Sequence, residues 1–256
     1  MKPGQVKITL SPGKDQSVKR FHPWIFSGAI ARFAGKPAEG EWVSVYSSAD
    51  EFLAAGHYQI GSIAVRVLTF TDVEPDDNFW KNKIESAWKL RQSLGFNDNN
   101  ETNVFRLLHG EGDGLPGLIV DFYNGTAVMQ SHSVGMFLIR DLLAKVLKEV
   151  LGDRLKAVYD KSAKTLPFKA DISPVDEYIL GEQRETKVTE YGLKFKVDWQ
   201  EGQKTGFFID QRENRLLVQQ YSRNRDVLNM FCYTGGFSFY AMKGSARMVH
   251  SVDASA

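Results

Sequence analysis

The most constraining feature of the sequence is a segment near its C-terminal end in which a strand, a glycine turn and a helix follow one another. Residues 226–231 are mostly apolar and predict a buried strand, and Gly235 and Gly236 predict a turn that leads directly into a helix. The apolar run Met248–Val252 predicts a second strand. This pattern predicts the start of a doubly wound α/β domain, with unpaired backbone N–H groups at the helix N-terminus.

An acidic residue follows the second predicted strand. Asp253 lies 17 residues after Gly236, close to the roughly 20-residue spacing at which an acid meets ribose hydroxyls in nucleotide-binding domains. The third glycine of the dinucleotide fingerprint is absent, which disfavours NAD and favours an adenosine ligand without a pyrophosphate, such as S-adenosylmethionine. A purely structural turn is the alternative. The cofactor-binding residues predicted here are Asn229, Phe231, Tyr233, Thr234, Gly235, Gly236 and Asp253.

A second candidate segment, residues 202–212, combines glycines, two adjacent aromatic residues and several polar side chains. Phe207 or Phe208 could stack on an adenine, and Lys204 or Arg212 could pair with the carboxylate of the methionine part. These four residues and Thr205 complete the predicted cofactor site. The alternative is a strand edge that turns into a helix, with Asp210 as the N-cap.

The remainder of the chain predicts two further domains, and the fold class is therefore mixed and multidomain. Short strands with glycine, proline or polar residues between them predict a small β-barrel or half-barrel over residues 1–72. Residues 73–198 predict a central α+β domain, and residues 199–256 the N-terminal part of the α/β domain. The first domain's predicted strands are Val6–Leu10, 25–31, Trp42–Tyr46, Phe52–Tyr58 and Ile63–Thr69. In the rest of the chain we predict helices over 79–94, 136–151 and 211–221, a hairpin turn at Asn124-Gly125 and a second hairpin within 187–197.

Charge gives a weaker indication of an RNA partner. The formal net charge of +1 neither supports nor excludes nucleic acid, because binding depends on where cations cluster. The N-terminal stretch carries such a cluster, and Lys14, Lys19, Arg20 and the aromatic Trp24 are its predicted RNA-binding residues. An ordinary solvated face for the cations, and a core position for Trp24, are the alternatives.

Several classes of protein lack support in the sequence. The single cysteine and the absence of an apolar signal core at the N-terminus predict a reducing, cytoplasmic location, and no apolar run is long enough to cross a membrane. The five histidines show no metal-ligand spacing, so no metal is predicted. Neither a Gly-x-Ser-x-Gly elbow nor a phosphate-binding Gly-Lys-Ser/Thr loop is present, so hydrolase and NTPase functions lack support.

The two cofactor segments together resemble a known enzyme family. Residues 204–212 (KTGFFIDQR) followed by 229–238 (NMFCYTGGFS) resemble the large-subunit ribosomal RNA cytosine-5 methyltransferases. Residues 20–30 (RFHPWIFSGAI) are similar to the PUA domain of that family, and residues 110–118 (GEGDGLPGL) to its central domain. The resemblance implies an RNA-binding PUA domain, a central domain and a class I methyltransferase domain that uses S-adenosylmethionine to modify ribosomal RNA.

The resemblance also implies catalytic residues that have no counterpart here. The family's catalytic cysteine and Asp-Pro-Pro motif follow the glycine turn, so we expect them beyond Ala256 and expect these 256 residues to be inactive. Cytosine-5 transfer needs a thiolate that adds to the ring. Cys232 lies inside the predicted cofactor turn, and we interpret it as a small buried side chain.

Two other functions stay open at this stage. An RNA-binding module without catalysis is the main alternative, and a nucleotide-dependent oxidoreductase is disfavoured by the missing third glycine. The sequence does not indicate which nucleotide is modified, whether naked RNA or a ribosomal particle is the substrate, or whether the chain forms a homodimer.

Overall fold

The computed structural model describes residues 6–96, 101–167, 172–183 and 186–254. Two compact units are present: the first comprises residues 1–97 and 106–183, and the second comprises residues 98–105 and 184–256. The hairpin at 187–196, assigned to the central domain by the sequence, belongs to the second unit. The three predicted domain ranges stay a prediction.

The first unit begins with a six-stranded sheet. Its elements are β1 (Val6–Leu10), α1 (Gln16–Lys19), β2 (Trp24–Phe26), β3 (Ile30–Ala34), β4 (Trp42–Tyr46), β5 (Phe52–Tyr58) and β6 (Ile63–Thr69). The strand order is β2-β6-β5-β4-β1-β3. Only the β1–β4 pair is parallel among the pairs within this described sheet. Side chains of these strands and Val18 of α1 form a buried core of Ile8, Leu10, Val18, Ile25, Val43, Val45, Leu53, Ala54, Val65 and Val67.

The sheet must curl because consecutive strands occupy its opposite edges. β2 ends at Phe26 and β3 begins at Ile30, so the two edges are joined by a link that reaches roughly 14 Å at most. A 3-10 turn over Ser27–Ala29 makes this link. The predicted single strand over 25–31 was therefore wrong, because the chain changes edge in its middle. The predicted half-barrel follows directly from this connection.

A long helix follows the sheet. α2 (Asp77–Ser93) begins after Asp76, whose carboxylate accepts a hydrogen bond from the Phe79 amide at 2.7 Å. It ends before Gly95, which has a φ of +89°. The predicted helix and its glycine stop are confirmed.

The next sheet of the first unit has a parallel pair inside it. Its elements are β7 (Val104–His109), whose first two residues belong to the second unit, and β8 (Leu118–Tyr123), β9 (Thr126–Ser131), α3 (Val134–Leu138), α4 (Arg140–Leu151), β10 (Ala157–Asp160) and β11 (Glu177–Leu180). The order is β11-β10-β9-β8-β7, with β9 parallel to β10. The predicted hairpin turn joins β8 and β9 through Asn124 and Gly125, both with positive φ.

The helix predicted over 136–151 is divided at Ile139, so this prediction was wrong in its continuity. The two parts pack against different elements: α3 lies against β9, and α4 lies against α2. Gly135 lets α3 approach β5 closely, because a Cβ at this position would lie 2.2 Å from the ring of His57. Packing against two partners explains the break.

The second unit contains a hairpin and a strand–helix–strand crossover. Its elements are β12 (Lys187–Glu190), β13 (Leu193–Lys196), α5 (Arg212–Tyr221), β14 (Asp226–Met230), α6 (Gly236–Lys243) and β15 (Met248–Val252). β14 and β15 are parallel, in a register that pairs Asp226 with Met248. The predicted strand–helix–strand arrangement of an α/β domain is confirmed. No helix within the described ranges of the chain is long and apolar enough to span a membrane.

Candidate cofactor site

The turn between β14 and α6 has an unusual backbone. Phe231, Tyr233 and Gly235 all adopt positive φ, at 58°, 47° and 73°. Left-handed conformations cost bulky aromatic residues energy, and such strain concentrates at functional sites. Phe231 is also 83% exposed. The sharp turn carries the chain from the end of the strand into the helix over a few residues.

Asp253 lies at this turn, as the sequence predicted. Its carboxylate accepts a hydrogen bond from the Tyr233 amide at 2.7 Å. The neighbouring Cys232 amide donates to the Val252 carbonyl at 3.1 Å. The acid that follows β15 is thus attached to the turn that follows β14, where a ribose-binding carboxylate is expected.

The N-terminus of α6 starts at the same turn. Gly235 is the N-cap residue and provides no side chain to cap the helix. The first-turn amides and the helix dipole therefore favour a negatively charged group at this end. Gly236 is buried, and a Cβ there would lie 3.2 Å from Cδ of Arg215. The glycine pair thus permits both the turn and the close packing beneath it.

Tyr233 joins the two predicted cofactor segments. Its hydroxyl accepts a hydrogen bond from the Gln203 amide at 3.1 Å and donates to the Gly206 carbonyl at 3.2 Å. Gly202 makes room for this contact, because a Cβ there would lie 2.8 Å from the Tyr233 hydroxyl oxygen. Residues 202–206 and the glycine turn consequently form one continuous site within the second unit.

The two adjacent aromatic residues of segment 202–212, Phe207 and Phe208, have different environments. Phe208 is half-buried, with its ring edge-on to Tyr233 at 5.4 Å, and the Lys204 ammonium lies 4.9 Å from the Phe208 ring centroid. Phe207 and Thr205 are buried instead. The Phe207 ring contacts Phe195 at 5.1 Å. Of the two aromatic residues, only Phe208 therefore presents a ring beside the turn.

Arg212 is placed in a buried ionic cluster beneath the site. Its Nε donates to Glu190 at 3.1 Å, and its Nη2 donates to the Val104 carbonyl. Arg215 donates to both carboxylate oxygens of Glu190 at 2.8 Å, and the Tyr240 hydroxyl donates at 2.9 Å. Burial and the adjacent Glu190 carboxylate raise the pKa of Tyr240, which keeps the phenol protonated as a donor.

The sequence interpretation missed Glu190, Arg215 and Tyr240. Arg215 matters most, because its Nη1 donates to the Phe208 carbonyl at 2.9 Å and its side chain packs under Gly236. A signal was present, because Arg212 and Arg215 lie three residues apart on one face of α5. Two arginines on a buried helix face require a buried acid as partner.

The remaining predicted residues of the turn differ in position. Asn229 donates to the Ser238 hydroxyl at 2.9 Å, and Ser238 contacts Ser251 at 2.6 Å, which links β14, α6 and β15. Thr234 is half-buried in the turn itself. Cys232 is half-buried rather than buried, so that expectation was wrong, because the turn leaves its side chain partly open to solvent.

Comparison with known proteins identifies the family to which the chain belongs. Residues 106–256 match the family described as S-adenosylmethionine-dependent methyltransferase, and residues 8–70 match the PUA-like domain. The chain belongs to the S-adenosylmethionine-dependent methyltransferase family. The predicted cofactor is thereby confirmed.

The methyltransferase relatives are longer than this chain. "Ribosomal RNA large subunit methyltransferase I" of Alteromonas mediterranea is 39% identical over 97% of this chain and 62% of its own length. The protein of the same name from Escherichia coli is 37% identical over 98% of this chain and 63% of its own length. The chain therefore spans somewhat less than two thirds of the curated relatives it matches.

Solved structures support the methyltransferase fold. A candidate SAM-dependent methyltransferase from Streptococcus mutans superposes with a TM-score of 0.80 at 22% identity, covering 97% of this chain and 63% of that one. A candidate methyltransferase complexed with SAH superposes with a TM-score of 0.81, at the same identity and coverage. At this level of identity the likeness establishes the fold.

The predicted RNA-binding residues lie in the PUA-like segment, with different partners. Lys14 and Arg20 are exposed. Lys19 pairs with Asp15 at 2.6 Å and Glu51 at 3.7 Å, and the hydrogen bond that it donates to Asp15 raises the pKa of the ammonium. Much of the charge of Lys19 is thus already compensated.

Trp24 has a separate environment on β2, where its indole Nε1 donates to Glu111 at 2.7 Å.

No group of three or more His, Cys, Asp and Glu side chains in the described part of the chain is arranged to hold a metal ion.

Proposed function

We propose that this chain binds S-adenosylmethionine and RNA within a methyltransferase that forms 5-methylcytosine in large-subunit ribosomal RNA. The observation that carries the cofactor part is the convergence of Tyr233, Asp253 and residues 202–206 on one turn. The names of the relatives support ribosomal RNA as the substrate.

Each part of the site suits a different part of the cofactor. Asp253 would accept hydrogen bonds from the ribose hydroxyls, and Phe208 would contact the adenine. The N-terminus of α6 and the Lys204 ammonium would hold the methionine carboxylate. Thr234, Gly235 and the exposed Phe231 would border the ligand.

A second set of predicted residues would act by support rather than by contact. Thr205, Phe207 and Arg212 are buried, and Asn229 is bonded to Ser238. We assign them the role of holding the turn and the Phe208 segment in place. Of the two predicted partners of the carboxylate, Lys204 and Arg212, this assignment keeps Lys204.

The cofactor supplies an electrophilic methyl group, and the residues of this chain bind and orient it. Attack by C5 of cytosine requires prior addition of a thiolate to the ring. Cys232 lies inside the cofactor turn, where its backbone amide donates to the Val252 carbonyl, and we do not assign the thiolate to it. Thiolate addition by a cysteine outside residues 1–256, the inactivity of these residues alone and their cytoplasmic location stay predictions.

Calorimetric titration with S-adenosylhomocysteine tests the cofactor site. Asp253→Ala should weaken binding by roughly 1 to 3 kcal/mol, because a charge-assisted hydrogen bond is lost. Asp226→Ala is the matched control, since Asp226 is an exposed acid at the other end of β14, paired with Arg247. Equal affinities of both variants and the unmodified chain would remove Asp253 from the site.

RNA binding is tested by its salt dependence. Exchanging Lys19 and Arg20 for Ala should weaken binding to all sequences and flatten the dependence on salt concentration, because fewer counterions are released. An unaltered slope would place the RNA elsewhere. RNA binding without any binding of S-adenosylhomocysteine would favour the alternative of an RNA-binding module.

The product is tested with tritiated S-adenosylmethionine and transcribed large-subunit ribosomal RNA, followed by bisulfite sequencing. The full-length protein should protect one or more cytosines from conversion. Label in the RNA without a protected cytosine would contradict the cytosine-5 assignment.

A further inference from the structure

The glycine-rich segment 110–118 has no part in the cofactor site, and its loop is firmly held. Asp113 accepts two hydrogen bonds from Arg91, at 2.5 and 2.7 Å, and one from the His109 amide at 2.6 Å. Gly114 has a φ of +66°, and its carbonyl accepts from Lys83 at 2.9 Å. These contacts position Glu111, at the outer side of the loop.

Glu111 faces two residues of the PUA-like sheet. Its Oε1 accepts a hydrogen bond from the Trp24 indole at 2.7 Å and from Nη1 of Arg66 at 3.3 Å. Trp24 and Arg66 are direct cross-strand partners on β2 and β6. All three residues belong to the first unit.

This arrangement leaves a hydrogen-bond acceptor of Glu111 beside a hydrogen-bond donor of Arg66. Nε of Arg66 donates to Gln59 at 3.0 Å and Nη1 donates to Glu111. Within the described ranges, Nη2 of Arg66 donates no hydrogen bond and Oε2 of Glu111 accepts none. The Glu111 side chain is 36% exposed, so a ligand can reach its free oxygen.

Aromatic rings continue from this pair across the surface. The ring of Trp24 lies 5.9 Å from that of His22 and 6.4 Å from that of Phe26, centroid to centroid. His22 is exposed and Phe26 is 48% exposed. Exposed aromatic faces of this kind stack on unpaired bases.

The local charge favours a base over a phosphate. Arg106, the next cation, makes two hydrogen bonds to the buried Asp121. Burial and the nearby Arg66 and Arg106 lower the pKa of His132, so its imidazole is neutral at neutral pH. With Arg66 set against Glu111, no excess positive charge is left for a phosphate.

We propose that Glu111 and Arg66 recognise one unpaired nucleobase, cytosine or adenine, which stacks on the His22–Trp24–Phe26 surface. Both bases present an exocyclic amino donor beside a ring-nitrogen acceptor, the complement of Oε2 and Nη2. Uracil presents an acceptor beside a donor at the same edge and does not match. The inference rests on the proposed binding of RNA and names the part of the RNA that this surface reads.

Fluorescence anisotropy with labelled, short homopolymers of cytidine, adenosine and uridine tests the site on the 256-residue chain. The chain should bind the cytidine and adenosine polymers about tenfold more tightly than the uridine polymer. Glu111→Gln should reduce this preference to about threefold or less, because its amide also donates to the uracil carbonyl. Trp24→Ala should weaken all three about tenfold through lost stacking.

Glu51→Gln is the control for charge, because it removes one exposed acid from the PUA-like segment without touching this site. It should strengthen binding of all three polymers equally and leave the preference unchanged. Equal binding of the three polymers to the unmodified chain, or the same response in both Gln variants, would overturn the proposal.

Titration with S-adenosylhomocysteine and thermal melting of each variant confirm the fold. If none of the polymers binds while S-adenosylhomocysteine does, the base site and the RNA part of the proposed function both fail and the cofactor site stands. If RNA binds without discrimination, only the base site fails.

Discussion

Glu190 in the second unit and Asp160 in the first are both completely buried carboxylates, yet their surroundings differ. Glu190 accepts hydrogen bonds from Arg212, Arg215 and Tyr240. Asp160 accepts one from the Ser162 hydroxyl, while its Oδ2 lies 3.4 Å from Nε of Arg140 without hydrogen-bonding geometry.

The surroundings of Asp160 affect the pKa of its carboxyl group. Burial raises its pKa to about 6, and the hydrogen bond from Ser162 and the charge of Arg140 only partly oppose this. Two equally buried carboxylates thus differ in the number of donors that meet them, and the well-supplied carboxylate is the one beneath the cofactor turn.

Glu190→Gln should produce the largest effect. The substitution leaves Arg212 and Arg215 buried without a counterion, which typically costs about 3 to 5 kcal/mol of unfolding free energy. Urea unfolding measures this loss of unfolding free energy, with Glu213→Gln as the control, since Glu213 is an exposed acid on α5. Equal losses of unfolding free energy in both variants would show that the buried cluster around Glu190 contributes no more to stability than an exposed acid does.

His57 extends the comparison to a buried base. Burial lowers its pKa to about 4, below about 6.5 in the unfolded chain. Between these values the unfolded chain binds more protons, so stability should fall by up to about 3 kcal/mol as the pH drops from about 6.5 to 4. The ring stacks on Trp80, so His57→Phe keeps the aromatic contact and should lose this dependence. If His57→Phe and the unmodified chain showed the same dependence of unfolding free energy on pH, His57 would not be the group that causes it.

Asp160→Asn should show the opposite slope. The folded state of the unmodified chain binds more protons between pH 4 and 6, because its Asp160 pKa exceeds the unfolded value. Its stability is therefore lost as the pH rises through this range. The Asn variant should be about 1 to 2 kcal/mol more stable at pH 8, with little difference at pH 4. A variant that is less stable at pH 8 would mean that the ion pair with Arg140 compensates Asp160 fully.

Arg215→Lys should have the smallest effect and sharpens the comparison within the Glu190 cluster. Lysine keeps the charge but loses the paired hydrogen bonds to Glu190 and the bond to the Phe208 carbonyl, so we expect a loss of about 1 kcal/mol. Affinity for S-adenosylhomocysteine should fall as well, because Phe208 borders the site. Unchanged affinity with lowered stability would restrict Arg215 to a structural role.

Much of the cofactor turn was predictable because its signals are local. The strands around Gly235 and Gly236, the helix and the position of Asp253 follow from hydrophobic patterns and from backbone geometry over a few residues. The same holds for strands β1, β4, β5 and β6, whose predicted bounds agree with the structure. The division of 25–31 was not predictable, because it results from pairing with two distant strands.

The sequence by itself therefore determined the order of the elements, the methyltransferase resemblance and the residues of the glycine turn. Only the tertiary structure decided which neighbours act together: Tyr233 with residues 203 and 206, Glu190 with Arg215, and Glu111 with Trp24. The physical reason is the range of the interactions. Backbone conformation depends on adjacent residues, whereas hydrogen bonds between residues far apart in the chain exist only after the sheets and helices have packed.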